Sequence, residues 1–304
     1  FWLKQLLFRF HPACARRRPP RSSDRTSGLS ASPPSSHAKR GRRPQQGAME
    51  SAMTSFAHLV NPWQLSVLGW LCCVVLEQIT LHTLDATVHW LCTFVKKLPS
   101  RQGPKPVYER PIEWLDKLYL NCNSLVENAF VQILTYHLSH SSNVDRGWAA
   151  LGLLNGPVAL WLLLIFNDML YAPAHRALHH PLLYRWIHKH HHRVAFPKRG
   201  QVDARNEHPV EQIMAMSLWY IAAQLVSKLT GIHAVVMVIH FAITTLLALF
   251  NHTGADLQLS VCGIDWAVRA HEMHHRKPDK NFGQFVMWFD KLMGTYVPYS
   301  SHSD

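Results

Sequence analysis

Cysteine is sparse in this 304-residue chain, and what there is shows no pattern. Cys14, Cys72, Cys73, Cys92, Cys122 and Cys262 form no CxxC pair and no framework spacing, which excludes a disulfide-stapled fold. They read as buried or free thiols and suit a site facing the reducing cytosol. Charge is scarce too, at 16% Asp, Glu, Lys and Arg, and it is unevenly placed. Residues 1–50 hold eleven Lys and Arg against Asp24 and Glu50, so they carry most of the net +12 and leave the remainder mildly basic. Aromatics are also few after Phe10 in that stretch, where Ser, Pro and Arg dominate. Such a segment cannot bury enough apolar surface to fold alone and reads as a disordered tail. Met49 opens a more ordinary beginning, MESAMTSF, so residues 1–48 read as a translated leader, with an Arg/Ser-rich transit peptide as the alternative. No nucleic-acid recognition module follows the basic tail, so no nucleic-acid partner is expected.

Hydrophobic runs are plentiful, and four compete for a bilayer. Trp63 to Val95 begins apolar and then carries Glu77, His82, Asp85 and His89 on one side of a helix, a span continuing into an amphipathic stretch. Trp148 to Phe166 has span length, with a kink expected at Gly156-Pro157. Val210 to Leu229 and Ile232 to Phe250 are each near the roughly 20 residues that cross a hydrocarbon core, with only Thr230-Gly231 between them. They read as a tight hairpin that returns the chain to the face it left, so histidines before and after it share one side of the membrane. Arg176, Arg185, Lys189, Arg193, Lys198, Arg199 and Arg205 precede the hairpin, and Arg269, Arg276, Lys277 and Lys280 follow it, which puts that side in the cytosol. Lys96, Lys97, Arg101, Lys105 and Arg110 dispute a simple count, unless the first segment only enters and leaves the membrane or Leu118 to Leu138 also dips into it. The fold class is therefore all-α: an integral membrane bundle of about four helices with a cytosolic, histidine-rich helical cap. Residues 51–147 supply N-terminal membrane and amphipathic segments, 148–299 form the histidine-bearing domain, and 300–304 are a tail.

The 22 histidines are the anomaly. HRALH places His175 and His179 at i and i+4; HKHHH places His188, His191 and His192, and HEMHH places His271, His274 and His275, at i, i+3 and i+4. On a helix each set shares a face, which is how a helix presents imidazole nitrogens to a metal. Pro181 suits a helix's first turn, so the first two clusters are expected on successive helices. Eight such ligands exceed the four of one structural zinc and suit two metal ions, with positions left for water or dioxygen. Imidazole serves Zn, Fe, Cu and Ni alike, so the ligand type does not name the metal. His252, in NHTG at the hairpin's end, is either a ninth ligand or a cap for the next segment. Each ligating ring needs a partner for its outer nitrogen. Asp168, Asp203, Glu207, Asn251, Asp265 and Glu272 are the candidates, and His208 in EHPVE is either another or a helix-start residue. His180 and His190 point off the shared faces, and His82, His89, His137, His140, His233 and His240 read as ordinary surface or core histidines.

These boxes resemble the membrane-bound fatty acid hydroxylase and sterol desaturase superfamily, whose signature is HxxxH, HxxHH and HxxHH around a hydrophobic hairpin. The likeness covers about residues 148–299, through HRALHHPLLYRWIHKHHH, NEHPVE, NHTG and HEMHHRKPDKNFG. NHTG and the H-acidic-x-HH form look closer to the sterol desaturase and C4-methyl sterol oxidase side. The resemblance implies a non-haem di-iron site at the cytosolic face of the endoplasmic reticulum, held by the eight box histidines and His252. It implies that dioxygen is used there to hydroxylate or desaturate a lipid, with electrons from NAD(P)H through cytochrome b5 or a similar donor. No HPGG-type haem motif is present, so the donor is expected to be a separate protein. Arg193, Lys198, Arg199 and Lys277 could dock it or meet anionic headgroups. Some relatives place another histidine a turn before the NH motif, where this chain has Ala248. Within the enzyme class an ether-lipid monooxygenase or an aldehyde-processing relative stays open. Outside it, a metal transporter or a non-catalytic scaffold competes; a transporter would carry ionisable residues along its spans, and the hairpin offers little beyond His233 and His240.

Overall fold

A computed structural model describes residues 66–98, 111–261 and 264–300. The tail, leader and transit-peptide readings, Cys14, Cys262, the first segment's start at Trp63, Arg101, Lys105, Arg110 and residues 301–304 lie outside them. Four described helices are long and apolar enough to cross a membrane: Val67–Cys92, Leu154–Leu178, Pro209–Thr230 and Ala234–Asn251. The molecule is an all-α membrane bundle, as the hydrophobic runs require, with only four short strands among the described residues.

Helix α1 (Val67–Cys92) opens with Ser66, whose hydroxyl accepts from the Gly69 amide. Glu77, Asp85 and His89 lie along its half-buried side, whereas His82 is exposed with Thr83 and Trp90. Helix α2 (Trp114–His140) starts with a reciprocal capping box between Glu113 and Asp116; it is not among the four candidate spans. A π-turn at Leu154–Val158 precedes α3 (Ala159–Leu178), with Gly156 off helical geometry beside Pro157, so the expected kink is there. The second span differs from the expectation at its end. The helix does not stop at Phe166 but runs on to Leu178 through Pro173, so the span itself carries His175.

After short helices α4 (Pro181–Tyr184) and α5 (Gln201–Arg205) come α6 (Pro209–Thr230) and α7 (Ala234–Asn251), the expected hairpin. Gly231 turns it at φ +69°, a conformation that favours glycine. Beside it, strand β2 (Ile232–His233) pairs in parallel with β1 (Val144–Asp145) and ties the hairpin tip to the loop before α3. Strands β3 (Gln258–Val261) and β4 (Ile264–Ala267) form an antiparallel pair, followed by α8 (Val268–Arg276) and α9 (Trp288–Met293).

The bundle core lies among α2, α3, α6 and α7, with Phe130, Leu163, Trp219, Val226 and Met237 buried together. A smaller apolar cluster of Leu98, Phe196, Trp266, Val268 and Phe285 supports the histidine end. There the chain leaving α1 pairs with the NHTG loop, Leu98 donating to the Gly254 carbonyl and Asp256 to that of Lys96. Asp85 of α1 also accepts from the Gln201 amide, which fixes the loop leading to α5.

Candidate metal centre

The histidines gather where α3 and α7 end and α8 begins. Five imidazoles, from His175, His179, His188, His192 and His274, offer ligand atoms within 4.8 Å of one another, and His191, His252, His271 and His275 form a second such group. His175 sits in the last turn of α3 and His179 caps it. His252 caps the end of α7, the helix before it, rather than the segment that follows. The third box is helical on α8, but the second is not. Helix α4 ends after one turn, and HKHHH runs through turns into a 3-10 segment, His191–Arg193. That corrects the expectation of two successive histidine helices. The segment is held instead by a tertiary contact, the Asp116 carboxylate on His190 and Arg193; of its neighbouring rings, His192 joins the first group and His191 the second, with ring centres 5.7 Å apart. His274 and His275 divide in the same way, 5.9 Å apart. His192 and His275 approach to 4.9 Å and bring the two groups side by side.

Outer nitrogens fix the tautomers. His175 Nδ1 donates to the Phe282 carbonyl at 2.8 Å, His274 Nδ1 to Lys280 at 2.7 Å and His252 Nδ1 to Ala248 at 2.7 Å. A carbonyl only accepts, so the protons are on Nδ1 and the Nε2 lone pairs face inward. His188 Nδ1 lies 2.6 Å from Glu211 Oε1, with both side chains fully buried; a carboxylate there orients this ring the same way. Yet His175 Nε2 and His188 Nε2 stand 2.9 Å apart. Two lone pairs at that distance repel unless a cation lies between them. Similar contacts of 2.9–3.1 Å join His192 to His188, His274 to His192, His271 to His252 and His275 to His271. With metal–nitrogen bonds of about 2.1 Å, ligands at right angles are separated by roughly 3.0 Å. His179 also has a buried Nε2 without a hydrogen-bond partner among the described residues. This donor set fits a pair of metal ions.

Burial keeps the rings neutral. It is the largest effect on His188, His191, His192, His271, His274 and His275, each held well below the ordinary histidine value, with neighbouring histidines adding to it. His179 is pushed down to about 3 by burial and His175. His252 is lowered by burial, against the opposing pull of the Ala248 carbonyl and Asp203. Neutral imidazole is the form that binds metal.

The expected outer partners mostly act elsewhere. Asp168 accepts from the Gln284 amide at 3.1 Å, and Asp290 from those of Phe282 and Gly283, so both hold the loop whose carbonyls hold the rings. Asp203 takes the amides of Lys198 and Arg199 and the Arg199 guanidinium. Glu272 pairs with Arg276, Asp265 accepts from Ser260, and the Asn251 amide donates to the Gln284 carbonyl. Glu207 neighbours Glu211 and is raised by burial. His208 starts α6, its Nδ1 accepting from Val210 with Pro209 at the first turn; His180 starts α4 likewise, and His233 caps α7. Sequence reasoning missed Glu211, although an acid in the first turn of an otherwise apolar span was the available signal. It also missed Asp116, whose Oδ1 meets His190 at 2.9 Å, Asn206 at 3.1 Å and Arg193 at 3.3 Å, clasping the non-helical second box from outside. Arg193 and Arg199 are thereby engaged in internal ion pairs.

A model of the fatty acid hydroxylase family matches residues 160–295, which hold all nine clustered histidines. The chain is 25% identical over 227 residues to a fatty acid hydroxylase of Mycosarcoma maydis, covering 74% of this chain and 55% of that one. It is 21% identical over 271 residues to methylsterol monooxygenase 1 of Rattus norvegicus, covering 86% and 88%. To a Delta(7)-sterol 5(6)-desaturase of Gibberella zeae it is 31% identical over 135 residues, covering 44% and 36%. The chain thus spans about half the length of the first relative and about a third of the last. No solved structure matches. Residues 160–295, a little under half of the chain, are thus similar to the fatty acid hydroxylase family, and sterol-acting enzymes stand among the relatives the chain resembles.

Proposed function

We propose that this chain is a membrane-embedded lipid oxidoreductase whose nine histidines hold two iron ions and which uses dioxygen to hydroxylate or desaturate a sterol or fatty-acyl lipid. The observation that carries the reading is the 2.9 Å approach of the His175 and His188 Nε2 lone pairs, with four further ring contacts at metal-ligand spacing. Bound there, iron supplies an oxidant able to break an unactivated C–H bond, which side-chain acids and bases cannot do. The residues do the rest. Phe282, Lys280 and Ala248 hold three rings through their carbonyls, and Glu211 orients His188. The buried setting excludes water around the neutral imidazoles. The hairpin α6–α7 offers an apolar route for the lipid, and similarity to a methylsterol monooxygenase over most of both chains supports a sterol as substrate.

Electrons would come from NAD(P)H through a separate donor such as cytochrome b5. The basic residues flanking the hairpin favour a cytosolic histidine face at the endoplasmic reticulum. The decisive experiment is metal content per chain in detergent-purified protein, compared with the His188→Ala/His274→Ala variant. Two transition-metal ions lost in the variant support the reading. A folded protein with no metal, or with occupancy unchanged in the variant, overturns it. Lipid profiling of expressing cells then identifies the substrate class.

A further inference from the structure

Between the first two histidine boxes the chain reads PLLYRWI, and none of these residues is needed as a ligand. Helix α4 begins just beyond the end of the α3 span at Leu178, so chain connectivity holds it near the level where that span leaves the hydrocarbon. Its outer side is apolar and uncovered: Leu182 is 67% exposed, Leu183 39% and Trp186 68%. The Arg185 guanidinium lies over the Trp186 ring, 4.9 Å from its centre. Its inner side is different. Tyr184 is half-buried and stacks on His179 at 5.4 Å, with His188 and His192 each 6.1 Å away. His179 and His192 are the two members of the five-histidine group that are only half-buried. The segment thus turns an apolar face outward while its tyrosine covers the most open side of the centre.

We propose that residues 181–186 are an interfacial flap seated in the bilayer surface, and that the lipid chain reaches the histidine centre past Tyr184. Leucine and tryptophan at the acyl–headgroup boundary with an arginine beside them is the composition that membrane interfaces select. Arg185 reaches lipid phosphate, and its stacking on Trp186 keeps the pair together at that depth. A protein partner would call for a broader apolar face than these three side chains present. Helix α9, which packs against α3, repeats the chemistry: Leu292 is 79% exposed and the Lys291 ammonium lies over Tyr296.

The seating does not depend on the oxygenase reading, whereas the portal rests on it, and the tests keep them apart. The full chain is placed in nanodiscs of phosphatidylcholine with a minor share of phosphatidylserine, carrying a spin label either near the headgroup or near the chain end. The fluorescence difference between wild type and Trp186→Phe isolates Trp186. Stronger quenching of that difference by the shallow label is expected; no quenching by either label overturns the seating. For the portal, Leu182→Asp/Trp186→Asp protein of wild-type metal content is assayed on bilayer lipid and on a micelle-dispersed short-chain analogue. The ratio of the two turnovers falls several-fold if lipid enters past the flap, and an unchanged ratio overturns the portal. Wild-type protein that holds metal and turns over neither substrate would instead count against the oxygenase reading, with the quenching result standing.

Discussion

Replacing Glu211 by leucine removes the acceptor that faces the outer nitrogen of His188 at 2.6 Å in a fully buried site. The ring then loses the carboxylate that lies against its Nδ1. Loss of such an outer partner lowers metal affinity about 10- to 100-fold, equivalent to roughly 1.4–2.7 kcal/mol. Glu211→Gln keeps an oxygen that can accept from Nδ1, so its loss of affinity is expected to be much smaller. The assay is metal retained per chain during titration with a competing chelator, with thermal unfolding of the metal-free protein run alongside. If Glu211→Leu retains metal as well as wild type while His188→Ala does not, Glu211 has no part in holding the ring. If glutamine and leucine are equally damaging, the charge matters and the acceptor geometry does not.

Acid should unfold the protein steeply. The eight cluster histidines beyond the α3 span have folded-state values below their ordinary one, so below about pH 6.5 the unfolded chain binds more protons than the folded one. Their neutral-form stabilisation is intact above that value and is lost as pH falls through it, by about 1.4 kcal/mol per pH unit for each ring still unprotonated. Unfolding midpoints that match at about pH 7.5 and about pH 5 would refute this. Asp116→Asn takes the negative charge from the carboxylate that gathers His190, Asn206 and Arg193. A stability loss of about 1–3 kcal/mol is expected by thermal unfolding in detergent, with the second box loosened and metal retention reduced. Unchanged retention would show that the clasp does not act on the centre.

The bundle was legible because hydrophobic runs of span length have few folds available, and Thr230-Gly231 left room only for a hairpin. Gly156-Pro157 gave its kink for the same reason: proline cannot complete the helical ladder. The end of the second span was not legible. Alanine and leucine let the helix continue past Phe166, and it runs on through Pro173 to Leu178. HKHHH misled because its spacing satisfies a helix, while the segment is held by a tertiary contact, the Asp116 carboxylate on His190 and Arg193. His208 was legible in kind, since His-Pro before an apolar run reads as a cap and a first turn; His180-Pro181 carries the same unread signal, and His233, followed by Ala234, carries none. Asp116 carried no signal, because its task is set by a loop far along the chain that packs against the start of α2.

The division of the rings gives the spacing a meaning that no single box displays. In both HxxHH boxes the i and i+4 histidines share a group and the i+3 histidine crosses to the other: His188 and His192 with His191 opposite, His271 and His275 with His274 opposite. The first group gains a further i,i+4 pair, His175 and His179, and reaches five; the second gains only His252 and stops at four. Four residues before His252, on the same face of α7, stands half-buried Ala248, whose carbonyl already receives the His252 Nδ1–H. The missing fifth ring of the second group is therefore a matter of one side chain. Ala248→His should place an imidazole a turn above His252 without disturbing that backbone bond. The second metal should then resist chelation longer, while the first is released as in wild type. Because a fifth ring would fill a position otherwise open to outside ligands, turnover should fall as retention rises. An Ala248→His protein that folds normally, with neither retention nor turnover altered, would show that the asymmetry of four against five has no consequence at this centre.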